Sequence, residues 1–222
     1  MSCGGNGSGL SRNEGKMTEY RHNGKLITFE GCEGVGKSTQ IRLLGEYFEQ
    51  RGIDALFTRE PGGTEVSERI RELLKDDDLD MCAETELLLF EAARYENTRR
   101  IIIPALEAGK IVVVDRYIDS TTAYQSFGRG LDRETVEKLN RYATAGVKID
   151  LTVFLDAPPF ANTTRGADDR MENAGAEFHD RVYEGYGKIG EDEERFVFVP
   201  TLGDKYATNA RIIRLLEDRG II

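Results

Sequence analysis

The chain has no tryptophan, two histidines, three cysteines, five prolines and no apolar run long enough to cross a bilayer. Each shortage removes a class of protein. Cys3, Cys32 and Cys82 form no CxxC pair and have no histidine at metal-ligand spacing, so neither a disulfide framework nor a zinc site is supported, and a reducing, cytoplasmic setting fits. His22 and His179 are isolated in sequence, and neither suggests acid–base or metal chemistry. A membrane span needs roughly 18 consecutive apolar residues, and a signal peptide needs an apolar segment near the N-terminus. Neither is found. Basic residues are in deficit, with 30 Lys and Arg against 40 Asp and Glu and a formal net charge of −10. That balance argues against nucleic acid or an anionic membrane as a partner, so any anionic ligand must meet a locally basic site.

What remains is a 222-residue chain, 39% apolar and 9% aromatic, with enough material for one ordinary core. A closed eight-unit α/β barrel would be cramped. Residues 1–16 are rich in Gly, Ser and Asn and read as a flexible tail within an N-terminal extension covering 1–24, ahead of a single domain over 25–222. Five short runs rich in β-formers predict strands: Leu26–Phe29, Ala55–Thr58, Ile111–Val114, Leu151–Leu155 and Phe196–Val199. Between them, apolar residues three and four apart predict helices through Ile41, Leu44 and Phe48; Val66, Ile70, Leu73 and Leu74; Leu87–Phe90; and Val136, Leu139 and Ala143. Gly52 and Gly109 suit left-handed helix ends, and Ala207–Leu216 reads as a closing helix. Strands alternating with helices imply an α/β fold with a parallel sheet covered on both faces. The acidic runs Asp76–Asp78 and Glu191–Glu194 read as solvated loops or helix ends.

The first strand runs into Gly31-Cys32-Glu33-Gly34-Val35-Gly36-Lys37-Ser38, which fits GxxxxGK[ST] between a strand and an amphipathic helix. Such glycines let the backbone curl, so that successive N–H groups and the helix N-terminus converge on phosphate oxygens. Gly31, Cys32, Glu33, Gly34, Val35, Gly36, Lys37, Ser38 and Thr39 are therefore candidate ATP contacts. Lys37 would serve the β- and γ-phosphates, and the Ser38 hydroxyl would ligate Mg²⁺. A third apolar strand ends in Asp115, a carboxylate placed to hold the magnesium through water. Arg116 and Arg59 each follow a strand at the same edge and suit bidentate capture of a second, acceptor phosphate. Phe90 and Arg94 are four apart and share a helix face. An aromatic plane there can stack on a base while a guanidinium donates to its carbonyl.

The phosphate loop, Thr58-Arg59-Glu60-Pro61-Gly62-Gly63, Phe90-Glu91-Ala92-Ala93-Arg94, Asp115-Arg116-Tyr117, Ser120-Thr121-Thr122-Ala123-Tyr124-Gln125, Gly128-Arg129-Gly130 and Asp169-Arg170-Met171-Glu172 stand in the order of thymidylate kinases. The chain resembles that family from Lys25 to its C-terminus. The resemblance implies a P-loop kinase fold with a five-stranded parallel sheet, and transfer of the γ-phosphoryl of ATP to dTMP, giving dTDP for dTTP biosynthesis. It also implies an Mg²⁺ cofactor and a homodimer. By the same resemblance Arg59 and Arg116 contact the monophosphate and Phe90 with Arg94 recognises thymine. Thr121, Tyr124 and Gln125 then border thymine and sugar, and Glu33 faces the acceptor's 3′-hydroxyl rather than ATP. The loop has no arginine of its own, which resembles the subgroup that supplies one from a lid, here expected at about 160–175 with Arg165 or Arg170 as the catalytic cation. Two departures stand out. Arg181-Val182-Tyr183 replaces the family's RVR, and Val199-Pro200-Thr201 replaces its usual Asp-Ala-Ser/Thr. A kinase for another nucleoside monophosphate and a non-catalytic nucleotide-binding protein remain alternatives, whereas the lack of NKxD argues against a GTP-hydrolysing switch. Leu87–Leu89 suits either an interface or core.

Overall fold

The computed structural model describes residues 20, 22–158, 175–201 and 203–222. The five apolar runs form strands: β1 (Lys25–Glu30), β2 (Ala55–Arg59), β3 (Ile111–Asp115), β4 (Leu151–Asp156) and β5 (Phe196–Pro200). They make one sheet in the order β2-β3-β1-β4-β5, with every pairing parallel. Parallel neighbours require crossovers, which the helices supply. These are α1 (Lys37–Arg51), α2 (Glu65–Lys75), α3 (Ala83–Asn97), α4 (Ile103–Glu107), α5 (Ile118–Thr121), α6 (Arg133–Ala143), α7 (Ala176–Asp192) and α8 (Lys205–Asp218). A π-helical turn over Thr98–Ile102 joins α3 to α4, and a second over Thr122–Gly128 prolongs α5.

Side-chain alternation along β1 decides what each face holds. Ile27 and Phe29 enter a core with Leu44 and Phe48 of α1 and Ile212 and Leu216 of α8. Leu26 packs on the other face with Val112, Val114, Ile102, Leu106 and Tyr117. Thr28 and Glu30 share that second face by the two-residue period, so a carboxylate is carried into the interior at the C-terminal end of the central strand. A third apolar cluster joins Phe154 and Phe196 to Tyr124, Phe178, Val182 and Tyr186.

The expected strands and closing helix are all observed, and Gly52 caps α1 in the left-handed region (φ 66°). The segments 118–128 and 176–192 are helical where no helix was expected. Ser120, Thr121, Thr122 and Gln125 are buried polar side chains in the first, and α7 contains Gly185, Gly187 and Gly190, all poor advertisements for a helix. Residues 20 and 22–24, assigned to the extension, touch the domain: Tyr20 bridges to Val147, and Gly24 N–H donates to Leu106 O. The lid at about 160–175, with Arg165 and Arg170, lies outside the described residues apart from Gly175. No helix among the described residues is long and apolar enough to cross a membrane.

One ion pair ties the start of β5 to α5. Arg195 donates to both Asp119 carboxylate oxygens, at 2.7 and 2.8 Å, and its side chain is 16% exposed against 4% for Asp119. Arg195→Ala would leave Asp119 buried with much of its charge unmet. Urea unfolding should show a loss toward the lower end of the about 3–5 kcal/mol found when a buried pair loses one partner. An unchanged midpoint would mean that Asp119 finds another donor.

Candidate active site

Register brings the chemistry to one edge. Arg59 and Phe29 both pair with Asp115 across the sheet, so β1, β2 and β3 end level and the next residues of each meet at one edge of the sheet. From β1 the chain turns through Gly31, Gly34 and Gly36, with φ of 143°, 74° and 98°. A Cβ at Gly31 would lie 2.9 Å from Leu155 O and 3.0 Å from Val35 Cγ2, so only glycine lets the loop lie against β4. Val35 and Cys32 are buried anchors of the loop, Gly34 and Ser38 are exposed, and Thr39 is half-buried. Burial pushes the Cys32 thiol up to about 11, which keeps it neutral.

Lys37 folds back inside the loop. Its Nζ donates to Gly31 O and Cys32 O, both at 2.8 Å. Burial, and then the neighbouring Arg116, bring its ammonium down to about 8 against the opposing pull of Glu33, Asp115 and Glu30. A cation held by two carbonyls at the start of a helix can exchange them for phosphate oxygens without leaving the loop. Asp115 Oδ1 is buried and accepts no hydrogen bond among the described residues. Such an oxygen is costly unless a cation or its water faces it. With the exposed Ser38 hydroxyl at the first turn of α1, this donor set fits a hydrated Mg²⁺.

Beside the loop stands Arg116. It is a non-glycine residue with φ 64°, held by its N–H to Phe29 O at 2.9 Å. Its guanidinium pairs with Glu33, lies 5.2 Å from the Tyr124 ring centroid, and donates to the hydroxyls of Ser120 (3.2 Å) and Tyr186 (3.4 Å). Burial works against the Glu33 carboxylate, but Arg116, Lys37 and His179 outweigh it and hold Glu33 at about 2. Glu33 thus stands on the Arg116 and Tyr124 side of the loop, with the Tyr124 hydroxyl 3.5 Å away. Arg59 reaches solvent from the end of β2 and pairs with Glu68 of α2 at 2.8 Å.

The residues expected at a base are brought together behind this rim, with one surprise. Phe90 is half-buried on α3, and Arg94 below it is 2% exposed. All five Arg94 N–H donors are engaged: Nε with Glu60 (2.8 Å), one arm with Glu91 (2.7 Å) and Asn140 (2.8 Å), the other with Tyr117 O (3.0 Å) and Thr121 Oγ1 (2.8 Å). A base carbonyl can join only as a shared acceptor or by displacing a neutral partner, since displacing Glu60 or Glu91 would strand a buried charge. Gln125 is buried and donates to Glu86 at 2.9 Å. Sequence reasoning missed Glu30 and Tyr186, both buried behind Arg116, while His179 is buried as its packing reading had it. The register of β1 was the signal for Glu30: it precedes the loop and shares the face of Leu26 and Thr28. A cavity of about 520 Å³ lined by Tyr20, His22, Lys25, Lys148 and Asp150 opens at the opposite, N-terminal edge of the sheet and shares none of these groups.

Comparison with known proteins gives the family. The thymidylate kinase family profile matches residues 29–212. The thymidylate kinase of Desulfosudis oleivorans is 46% identical over 205 residues, covering 86% of this chain and 96% of that protein. That of Chlorobaculum parvum is 43% identical over 206 residues, covering 86% and 95%. The crystal structure of thymidylate kinase from Ehrlichia chaffeensis superposes with a TM-score of 0.73 at 36% identity, over 87% of this chain and 98% of that one. The cluster of Lys37, Asp115 and Arg116 thus stands on a chain that belongs to the thymidylate kinase family.

Proposed function

We propose that the protein transfers the γ-phosphoryl group of ATP to dTMP, giving ADP and dTDP. The observation that carries this reading is the pair of separate cationic centres at one sheet edge, Lys37 inside the loop and Arg116 beside it, the latter paired with Glu33. Two centres suit two anionic substrates. The loop amides and Lys37 bind and orient the ATP phosphates, and Arg116 with Arg59 grips the acceptor phosphate, so the reacting oxygens are aligned and their mutual repulsion is offset. Ser38 and Asp115 are the residues that would hold Mg²⁺, which would supply charge neutralisation for the ATP phosphates. Phe90 stacks on the base, Thr121 and Gln125 line it, and Tyr124 walls off the sugar, with Glu33 addressing the 3′-hydroxyl. The lid supplies the cation for the moving phosphoryl group through Arg165 or Arg170.

Arg94 supports the base site chiefly from beneath. It fixes Thr121 and the helix of Phe90, and its removal would leave Glu60 and Glu91 buried without a cation. The protein is further assigned to the cytoplasm as a homodimer. Val66 and Leu73 of α2 and Leu88 of α3 expose apolar surface on two packed helices, which suits an isologous contact. Leu87, by contrast, is core.

An ADP-release assay with ATP and Mg²⁺ over a panel of nucleoside monophosphates should favour dTMP. Equal or faster turnover with CMP, UMP or AMP would overturn the assignment. Phe90→Ala should raise the dTMP KM by about tenfold or more with little change in kcat, because base–aromatic stacking is worth about 1–3 kcal/mol. An unchanged KM would remove Phe90 from the base site. The double variant Arg165→Ala/Arg170→Ala should lose on the order of 10²-fold or more in kcat while still binding dTMP, by analogy with arginine fingers. Near-normal kcat would mean that another group supplies that charge.

A further inference from the structure

Glu30 ends β1, directly before the phosphate loop, and is fully buried. A buried carboxylate persists only where donors meet its oxygens. Glu30 accepts from Tyr117 N–H at 2.7 Å, from the Ser120 hydroxyl at 2.5 Å and from the Tyr186 hydroxyl at 3.1 Å. Those two hydroxyls lie 2.8 Å apart, and both also receive hydrogen bonds from Arg116. Each hydroxyl has one proton to give. Having accepted from a guanidinium, which can only donate, they pass their own protons toward the carboxylate, so the chain of hydrogen bonds runs from Arg116 through Ser120 and Tyr186 to Glu30.

The same carboxylate holds the backbone. Arg116 adopts a left-handed conformation that is strained for a non-glycine residue and persists only where the surroundings over-determine it. Its own N–H is held by Phe29 O, and the next N–H, of Tyr117, is held by Glu30. Strand β1 therefore pins both amides of the turn with consecutive residues.

We propose that Glu30 is the positioning residue for Arg116, locking the 116–120 turn and aiming the guanidinium at the acceptor's phosphate. The inference rests on the reading that Arg116 grips that phosphate. Aspartate would be one methylene short of the hydroxyls. Glutamine keeps the shape, but its NH₂ must replace an accepting oxygen, facing either the Tyr117 N–H or the two hydroxyls that already receive from Arg116, so one of those contacts is lost.

The test separates phosphate grip from general damage. Burial, with Asp119 beside it, pushes the Glu30 carboxyl up to about 7, so the measurements are made at pH 8, where it is ionised. Calorimetry on the full chain gives Kd for dTMP and for thymidine, which lacks the phosphate. Glu30→Gln should weaken dTMP about tenfold, the worth of one hydrogen bond to a charged group, and leave thymidine and the ATP KM within about twofold. Ser120→Ala should move in the same direction by less, and it carries the test alone if Glu30→Gln does not fold. Equal losses for dTMP and thymidine, or no loss of dTMP, would overturn the proposal. A wild-type protein that binds thymidine as tightly as dTMP would instead remove the phosphate role of Arg116, and this inference with it.

Discussion

Arg116 occupies a left-handed turn between a buried carboxylate and the phosphate loop, and most of the site exists to keep it there. Glu33 balances its charge from the loop, Ser120 and Tyr186 fix one arm, the Tyr124 ring centroid lies 5.2 Å away, and β1 holds the backbone behind it. These contacts come from the strand β1, the loop, α5 and α7, elements far apart in sequence. A change that shifted any one of them would move the guanidinium. The fold thus brings a fixed cation within reach of a second one, Lys37, in a chain whose net charge of −10 would otherwise repel nucleotides. Enclosed cations act at lower effective dielectric than surface ones, so each is screened less than a cation on an exposed patch.

The proposed base side is built on the same principle, a buried arginine held by carboxylates. Arg94 is enclosed by two carboxylates, an amide, a hydroxyl and a backbone carbonyl. Glu60, from the TREPGG segment, also accepts from Asn97 at 3.1 Å, which couples the end of β2 to the far end of α3. A network with every donor engaged resists rearrangement, because each broken bond leaves a buried polar atom unmet. The wall behind the proposed base site is thus held by bonds within the protein.

Much of this was legible in the sequence. The five strands declared themselves as short β-rich runs, and the phosphate loop, Asp115 and Arg116 followed from their place after strands. What hid was the segment whose polar residues point inward. Ser120, Thr121, Thr122 and Gln125 look like a loop because helices are recognised by buried apolar faces, yet here the buried face is polar and satisfied by Glu30, Arg94, Asn140 and Glu86. Helix α7 hid for another reason. A Cβ at Gly185 would fall 2.7 Å from the Phe127 ring, so the residue that weakens the helix is the one that lets it pack. Arg94 was found by its spacing from Phe90, but its saturation by protein partners depends on Glu60 and Asn140, 34 and 46 residues away.

The central claim is a division of labour between two cations at one sheet edge, and binding constants for the two substrates measured on two variants address it directly. Lys37→Ala should weaken ATP while leaving dTMP close to its wild-type Kd, and Arg116→Gln should weaken dTMP while leaving ATP close to its own. Parallel losses of both substrates in both variants would contradict the account, because they would mean that Lys37 and Arg116 serve a single shared phosphate site.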